Sequence, residues 1–254
     1  MPMERFIVEG GRRLEGSIRP GGNKNAALPI LAACLLTDEP ITLLNLPDIQ
    51  DVRVMLEIME KLGAGIERRE KNVVRITAKG NVSSTPDQPL SKKIRASILL
   101  AGPLLARTGQ ANITKPGGDV IGRRRVDTHL LALENLGAQI EVSAYEYRMS
   151  ARALKGKKMF LDEASVTATE NAVMAAVLAE GDTLIYNAAA EPHVQDLCRF
   201  LNSLGARIEG IATNSLFIRG VESLRGGEFY IPSDHIEVGS YIGLAAVTRS
   251  ELLI

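Results

Sequence analysis

Tryptophan is absent from the 254 residues, and there are five Phe and five Tyr. Stacking platforms for single-stranded nucleic acid are therefore scarce. Net charge is absent too: 30 Lys and Arg balance 30 Asp and Glu. No overall basic field draws the chain to nucleic acid or to an anionic membrane surface, so any anion binding must come from local clusters. The two cysteines, Cys34 and Cys198, both lie in apolar helical patterns. That excludes a disulfide framework and fits a reducing cytoplasm. The longest apolar stretch, Ala26 to Leu36, is interrupted by Pro29 and Cys34 and reaches about half the ~20 residues a bilayer requires. The opening MPMERFIVEGG lacks the apolar stretch of a signal peptide. His129, His193 and His235 are too widely separated for a spaced metal-ligand set. No glycine spacing fits a P-loop or a dinucleotide fingerprint. What remains reads as a soluble cytoplasmic protein, with no metal-ligand set or cofactor fingerprint in its sequence, whose 45% hydrophobic content is enough for a sizeable core.

What is present is a repeat. Leu-Gly-Ala occurs at Leu62-Gly63-Ala64, Leu136-Gly137-Ala138 and Leu204-Gly205-Ala206, each time closing an amphipathic helical pattern: DVRVMLEIMEKLGA, RVDTHLLALENLGA and HVQDLCRFLNSLGA. The glycine stands where a left-handed helix C-cap needs one. A pair of short strands follows each copy: GIERR and VVRITA, QIEVS and YRMSA, RIEGI and SLFIRG. Ahead of each amphipathic helix lies a helix of small apolar residues and then a strand: AALPILAACLL and PITLLN, RASILLAGPLLA and QANITK, ENAVMAAVLAE and DTLIYN. A helix apolar on all sides is buried, so the small-residue helices belong inside and the sheets outside. The pattern predicts an inside-out α/β barrel of three repeated units over 22–232. Residues 1–21 supply a strand, RFIVEGG, that belongs with a second lobe. Residues 233–254 are a linker and the start of that lobe, a fourth unit that begins near Ile236 and stops after a helix and a strand. Pro-Gly-Gly at 20–22 and IPSDH at 231–235 read as linkers.

Several segments resemble the enolpyruvyl transferase family, whose members have two lobes of three such units with the active site between them. GGNKNAALPIL at 21–31 is similar to the family's lysine loop, and IRASILLAGPLLARTG at 94–109 to its second characteristic segment. PGGDVIGRRRVDTH at 116–129 resembles the loop that carries the catalytic residue, and LDEASVTATEN at 161–171 and IPSDHIEVGSY at 231–241 fit as well. The PGGxxIGxRxVDxH pattern favours members acting on UDP-N-acetylglucosamine over those acting on shikimate 3-phosphate. The resemblance implies transfer of the enolpyruvyl group from phosphoenolpyruvate to the 3-hydroxyl of UDP-N-acetylglucosamine. That reaction is the first committed step of peptidoglycan synthesis. It also implies that further catalytic groups lie in a lobe following residue 254, so that this chain alone is expected to be inactive. A non-catalytic nucleotide-sugar-binding fragment, or a transferase for another uridine nucleotide, remains an alternative. Oligomeric state is not indicated.

Each candidate site residue has a chemical and a plain structural reading. Glycines before Lys24 and Asn25 leave N–H groups and a positive dipole end, suited to an anion. The resemblance implies that Lys24 contacts phosphoenolpyruvate and Asn25 the sugar; otherwise the segment is a linker with a solvated lysine. Arg95 opens an apolar helix, and its guanidinium suits a phosphate. Lys92 and Lys93 read as a solvated face. Arg123-Arg124-Arg125 is a basic run in a glycine-rich loop. By motif position Arg124, Val126, Asp127 and Thr128 match the segment that holds the uridine diphosphate. Arg125 stands where the family has proline, Thr128 where it has leucine, and Gln50 where a basic residue is frequent. Ser165 reads as a helix N-cap, and Ser165, Val166 and Thr167 match a nucleotide-binding segment in which Thr167 replaces a glycine and Glu163 a lysine. Asp119 sits at the loop tip where most relatives carry the catalytic cysteine that fosfomycin alkylates. As a carboxylic acid it is the candidate proton donor or nucleophile, alongside Lys24. The plain reading of Asp119 is a turn aspartate after two glycines.

Overall fold

A computed structural model describes residues 5–117 and 125–254. After β1 (Glu15–Ser17) the first repeat comprises α1 (Lys24–Ala33), β2 (Ile41–Leu44), α2 (Gln50–Lys61), β3 (Gly65–Glu70) and β4 (Val73–Thr77). The second has a short α3 (Gln88–Ser91), then a 3₁₀ segment (Arg95–Leu100) that runs into α4 (Ala101–Thr108). It continues with β5 (Gln110–Thr114), α5 (Asp127–Asn135), β6 (Gln139–Val142) and β7 (Glu146–Ser150). The third has β8 (Lys158–Phe160), α6 (Val166–Ala176), β9 (Asp182–Tyr186), α7 (Pro192–Ser203), β10 (Arg207–Glu209) and β11 (Ser215–Arg219). β12 (Gly227–Tyr230), α8 (His235–Thr248) and β13 (Glu251–Leu253) follow. The chain divides into two compact units, Asn23–Pro232 and a smaller one of Met1–Gly22 with Ser233–Ile254.

In the larger unit each repeat makes one sheet: β3-β4-β2, β6-β7-β5 and β10-β11-β9, all antiparallel. Two of the sheets gain a parallel fourth strand from outside the three: β8 beside β9, and β12 beside β2. β12 comes after the third repeat and returns to the first sheet, so the chain closes on itself as a ring. The joints are alike. Asn45 and Asn187 follow β2 and β9 with positive φ (57° at both). Their side-chain amides donate to the carbonyls of Ile231 (2.9 Å) and Leu161 (2.8 Å) at the ends of β12 and β8. Asparagine tolerates the left-handed region better than most residues, and its amide ties the added strand in place.

The small-residue helices are inside. Every residue from Ala26 to Ala33 of α1 and from Ala168 to Ala176 of α6 is buried. α2, α5 and α7 bury one face. α4 packs on α6, and α1 on α2 and α7. Small side chains let these backbones approach. The three Leu-Gly-Ala copies end their helices identically, with glycine φ of 105°, 99° and 104°. Each alanine N–H reaches back to the carbonyl of Met59, Leu133 or Leu201, and each glycine N–H to that of Glu60, Glu134 or Asn202. This is the paired closure that needs a residue without a Cβ penalty at positive φ.

The second small-residue helix departs from expectation. It is not one α-helix from Arg95, because its first six residues are 3₁₀. Asn171 of α6 enters the helix ladder: its Oδ1 accepts from the Gly102 N–H (2.8 Å) and its Nδ2 donates to the Ile98 carbonyl (2.9 Å). Those two backbone groups would otherwise bond each other across one α-turn. A side chain inserted in that ladder is a recognised cause of a helix irregularity, and Pro103 removes the next donor. Gly102 makes the approach possible, since a Cβ there would lie 2.5 Å from the Asn171 carbonyl oxygen.

RFIVEGG is not a strand, for residues 5–11 are irregular and the strand is Glu15–Ser17. Phe6, Ile7 and Val8 are almost fully exposed; they have no sheet neighbour to satisfy a ladder. β1 pairs in parallel with β13 within the smaller unit, and the Leu14 N–H donates to Ser250 Oγ (2.7 Å). α8 buries none of its residues. Cys34 and Cys198 are buried thiols, not a disulfide. Burial pushes both up, Cys198 to about 12. Among the described residues no helix is long and apolar enough to cross a membrane.

Candidate functional site

The helix starts of the three repeats meet at one cleft of about 470 Å³ in the larger unit. Lys24 and Asn25 come from the start of α1, Arg95 from the start of the 3₁₀ segment, and Val166 and Thr167 from the start of α6. The cleft therefore has three cations on its wall, Lys24, Lys93 and Arg95, set against Asp51, Glu170 and Glu191. Lys93 is exposed, as its reading as part of a solvated face has it, and the turn after α3 also brings it to the cleft.

Lys24 Nζ lies 3.3 Å from Asp51 Oδ2, with both side chains close to half exposed. At that exposure the pair is weak, so an arriving anion can compete for the ammonium. The glycines before Lys24 do not leave an open ring of N–H donors. Asn23 caps α1, its Oδ1 accepting from Asn25 N–H (2.7 Å) and Ala26 N–H (3.1 Å). The anion capacity at this corner comes from the Lys24 and Asn25 side chains rather than from the backbone. At α6 the balance differs. Ser165 is the N-cap, its Oγ accepting from Ala168 N–H. The N–H groups of Val166 and Thr167 precede the first intrahelical donors and belong to residues that line the cleft.

Arg95 Nη2 donates to the Arg125 carbonyl (3.0 Å), tying the 3₁₀ start to the segment just before α5. Val126, Asp127 and Thr128 begin that helix but do not line the cleft. Val126 is buried, Asp127 pairs with Arg125, and the Thr128 hydroxyl donates to Asp162 Oδ1 (2.7 Å). Arg124 and Asp119 lie outside the described residues.

Four acidic or imidazole groups of the cleft were not singled out by sequence reasoning: Asp51, Glu170, Glu191 and His193. Glu170 is 1% exposed, and its Oε1 has no hydrogen-bond partner among the described residues. Burial, and secondarily the charge of Glu191, hold its carboxyl well above the usual range. It hides in a run of small helical residues, where the composition signals only burial. Behind Thr167 lies His129, also buried; burial and then the Arg95 charge lower it to about 3.

The family model described as EPSP synthase (3-phosphoshikimate 1-carboxyvinyltransferase) matches residues 8–254. A protein of Treponema denticola named UDP-N-acetylglucosamine 1-carboxyvinyltransferase is 56% identical over 252 residues, covering 99% of this chain and 59% of that protein. One of the same name from Bradyrhizobium diazoefficiens is 57% identical, over 98% of this chain and 58% of its own length. This chain thus spans about three-fifths of these relatives. Among solved structures, the enolpyruvyl transferase NikO from Streptomyces tendae matches 92% of this chain and 56% of its own, with a TM-score of 0.79 at 25% identity. EPSP synthase from Acinetobacter baumannii matches 97% of this chain and 56% of its own, at a TM-score of 0.77 and 20% identity. The fold is that of the enolpyruvyl transferases, and with the family model matched along almost its whole length the chain belongs to the EPSP synthase family.

Proposed function

We propose that the cleft takes phosphoenolpyruvate and UDP-N-acetylglucosamine, and that this chain is the part of a UDP-N-acetylglucosamine 1-carboxyvinyltransferase that binds them. The observation that carries the reading is the meeting of Lys24, Asn25, Arg95, Val166 and Thr167, from three separate helix starts, on one cleft wall. Relatives more than half identical bear that enzyme's name. Lys24 and Arg95 neutralise the phosphate and carboxylate of phosphoenolpyruvate. Helix N–H groups at Val166 and Thr167 favour the diphosphate, as helix starts favour anions generally. Asn25 hydrogen-bonds the sugar. Val126–Thr128, outside the cleft lining but next to the Arg125 carbonyl that Arg95 holds, take the uridine end together with Arg124.

In the reaction, an acid delivers a proton to the methylene carbon of phosphoenolpyruvate. The 3-hydroxyl oxygen of the sugar bonds to the adjacent carbon as its own proton leaves to a base. Loss of inorganic phosphate and of a methyl proton then restores the enol ether. Asp119 is the proposed acid, in the place of the cysteine of most relatives. A carboxyl is a weak nucleophile toward an epoxide, whereas alkylation there needs a thiolate, so fosfomycin should leave this protein unmodified. The reading places the protein at the entry to peptidoglycan synthesis in the cytoplasm. Calorimetric titration of the chain with UDP-N-acetylglucosamine tests it: saturable binding, weakened by Arg124→Ala, is expected. Equal affinity in parent and variant removes Arg124 from the site.

A further inference from the structure

A chain of hydrogen bonds runs from the break in the second buried helix to the cleft, and its donors and acceptors can be assigned by exclusion. The Gly102 N–H meets Asn171 Oδ1 at 2.8 Å. That atom must accept, so the other terminus of the amide is the NH₂ group. Nδ2 has two protons, and it has two partners: the Ile98 carbonyl at 2.9 Å and His129 Nδ1 at 2.9 Å. Nδ1 therefore accepts, and the neutral ring carries its proton on Nε2. Nε2 lies 3.0 Å from Thr167 Oγ1 and donates to it. Thr167 Oγ1 thus receives a proton, and the hydroxyl's own proton has no acceptor among the described residues. Thr167 lines the cleft.

We infer that His129 and Asn171 are positioning residues which fix the Thr167 hydroxyl as a hydrogen-bond donor toward the cleft, so that it takes an acceptor-only atom there, a phosphate oxygen of a nucleoside diphosphate. An isolated threonine hydroxyl rotates to suit either a donor or an acceptor. This one has a single role, set by two buried groups that never touch the ligand. The amide that sets it also breaks the helix ladder at Ile98 and Gly102, so the donor's direction is built into the packing of α4 on α6. Arg95 lines the same cleft, which adds a guanidinium to the wall that would receive the oxygen. The inference rests on the proposed reading of the cleft as a nucleotide site.

The test is calorimetry of the chain with UDP as probe, on the parent and on Thr167→Val, Thr167→Ser, His129→Gln and His129→Asn. A hydrogen bond to a charged group is worth about 1.5–3 kcal/mol, roughly 10- to 100-fold in affinity. Thr167→Val should lose that much, and Thr167→Ser should retain parental affinity. Gln reproduces the Nε2 donor and Asn only the Nδ1 acceptor, so His129→Gln should bind UDP like the parent and His129→Asn should weaken it several-fold. Long-range ¹H–¹⁵N spectra should show His129 as the Nε2–H tautomer, with that signal moving on UDP addition. Unchanged affinity in Thr167→Val, equal affinity in the two His129 variants, or an Nδ1–H tautomer overturns the inference while leaving the cleft's assignment intact. Failure of the parent itself to bind UDP overturns the proposed function, and this inference with it.

Discussion

His129 should make the larger unit sensitive to acid, and by an amount the structure sets. In the unfolded chain its imidazole titrates near the ordinary 6.5; folded, burial and then Arg95 lower it to about 3. The ring is buried, which makes the added charge costly, and Nδ1 already accepts from the Asn171 amide. Below 6.5 the unfolded chain gains a proton that the folded chain does not, so this contribution is complete above 6.5 and is lost as pH falls toward 3. Each pH unit within that window costs about 1.4 kcal/mol. Between pH 7 and pH 5 the loss is therefore about 2 kcal/mol, and over the whole window it approaches 5 kcal/mol, comparable to the total stability of many domains. The assay is urea unfolding followed by far-UV circular dichroism at pH 7, 6 and 5, on the parent and on His129→Gln, which cannot take up a proton. The variant loses the Asn171 contact, and its whole curve drops by about 1–2 kcal/mol. Its decline between pH 7 and 5 should nonetheless be shallower by about 2 kcal/mol. The carboxylates titrate alike in both proteins and cancel. Parallel decline in the two would refute the reasoning, because the buried histidine would then be protonating in the folded state.

Glu170→Gln should act in the opposite sense: the folded carboxyl is raised, so the unfolded chain releases its proton above about 4.5 while the folded chain keeps its own, and the variant should gain melting temperature at pH 8 and little at pH 4.5. Gly102→Ala puts a Cβ 2.5 Å from the Asn171 carbonyl; separating α4 from α6 should cost about 1–3 kcal/mol, read by chemical denaturation, and a neutral result would show that the approach is slack. Asn171→Ala strands the Gly102 N–H and His129 Nδ1, while the Ile98 carbonyl keeps its bond from the Ala101 N–H, for a loss of about 2 kcal/mol or more. Intact mass spectrometry after incubation with fosfomycin and UDP-N-acetylglucosamine should show no adduct on the parent and one on Asp119→Cys; an adduct on the parent would contradict the carboxylate argument.

What the sequence disclosed and what it hid follow from the range of the interactions. Leu-Gly-Ala closures, amphipathic helices and two of the three buried helices depend on neighbours within a turn or two, and they could be read directly. The 3₁₀ segment could not, because Asn171, which breaks that ladder, lies in another repeat. β8 and β12 were also missed: they are three and four residues long and exist because a partner strand is already in place beside them. At the site, Lys24, Asn25 and Arg95 were legible as cations and amides at helix starts, whereas the capping of α1 by Asn23 was not. Glu170 gave no signal, since a single acid among small residues on a helix does not show which way it faces. Asp119 and Arg124 were legible by motif and lie outside the described residues.

The wall formed by three helix starts is the proposed seat of the nucleotide sugar. The most direct measurement is a ¹H–¹⁵N titration of the chain with UDP-N-acetylglucosamine, with backbone resonances assigned. Saturable shifts should concentrate at Lys24, Asn25, Arg95, Val166 and Thr167, the residues of that wall, and should weaken in Arg124→Ala. Saturable shifts confined to other parts of the chain, or no saturable binding at millimolar ligand, would contradict that seat.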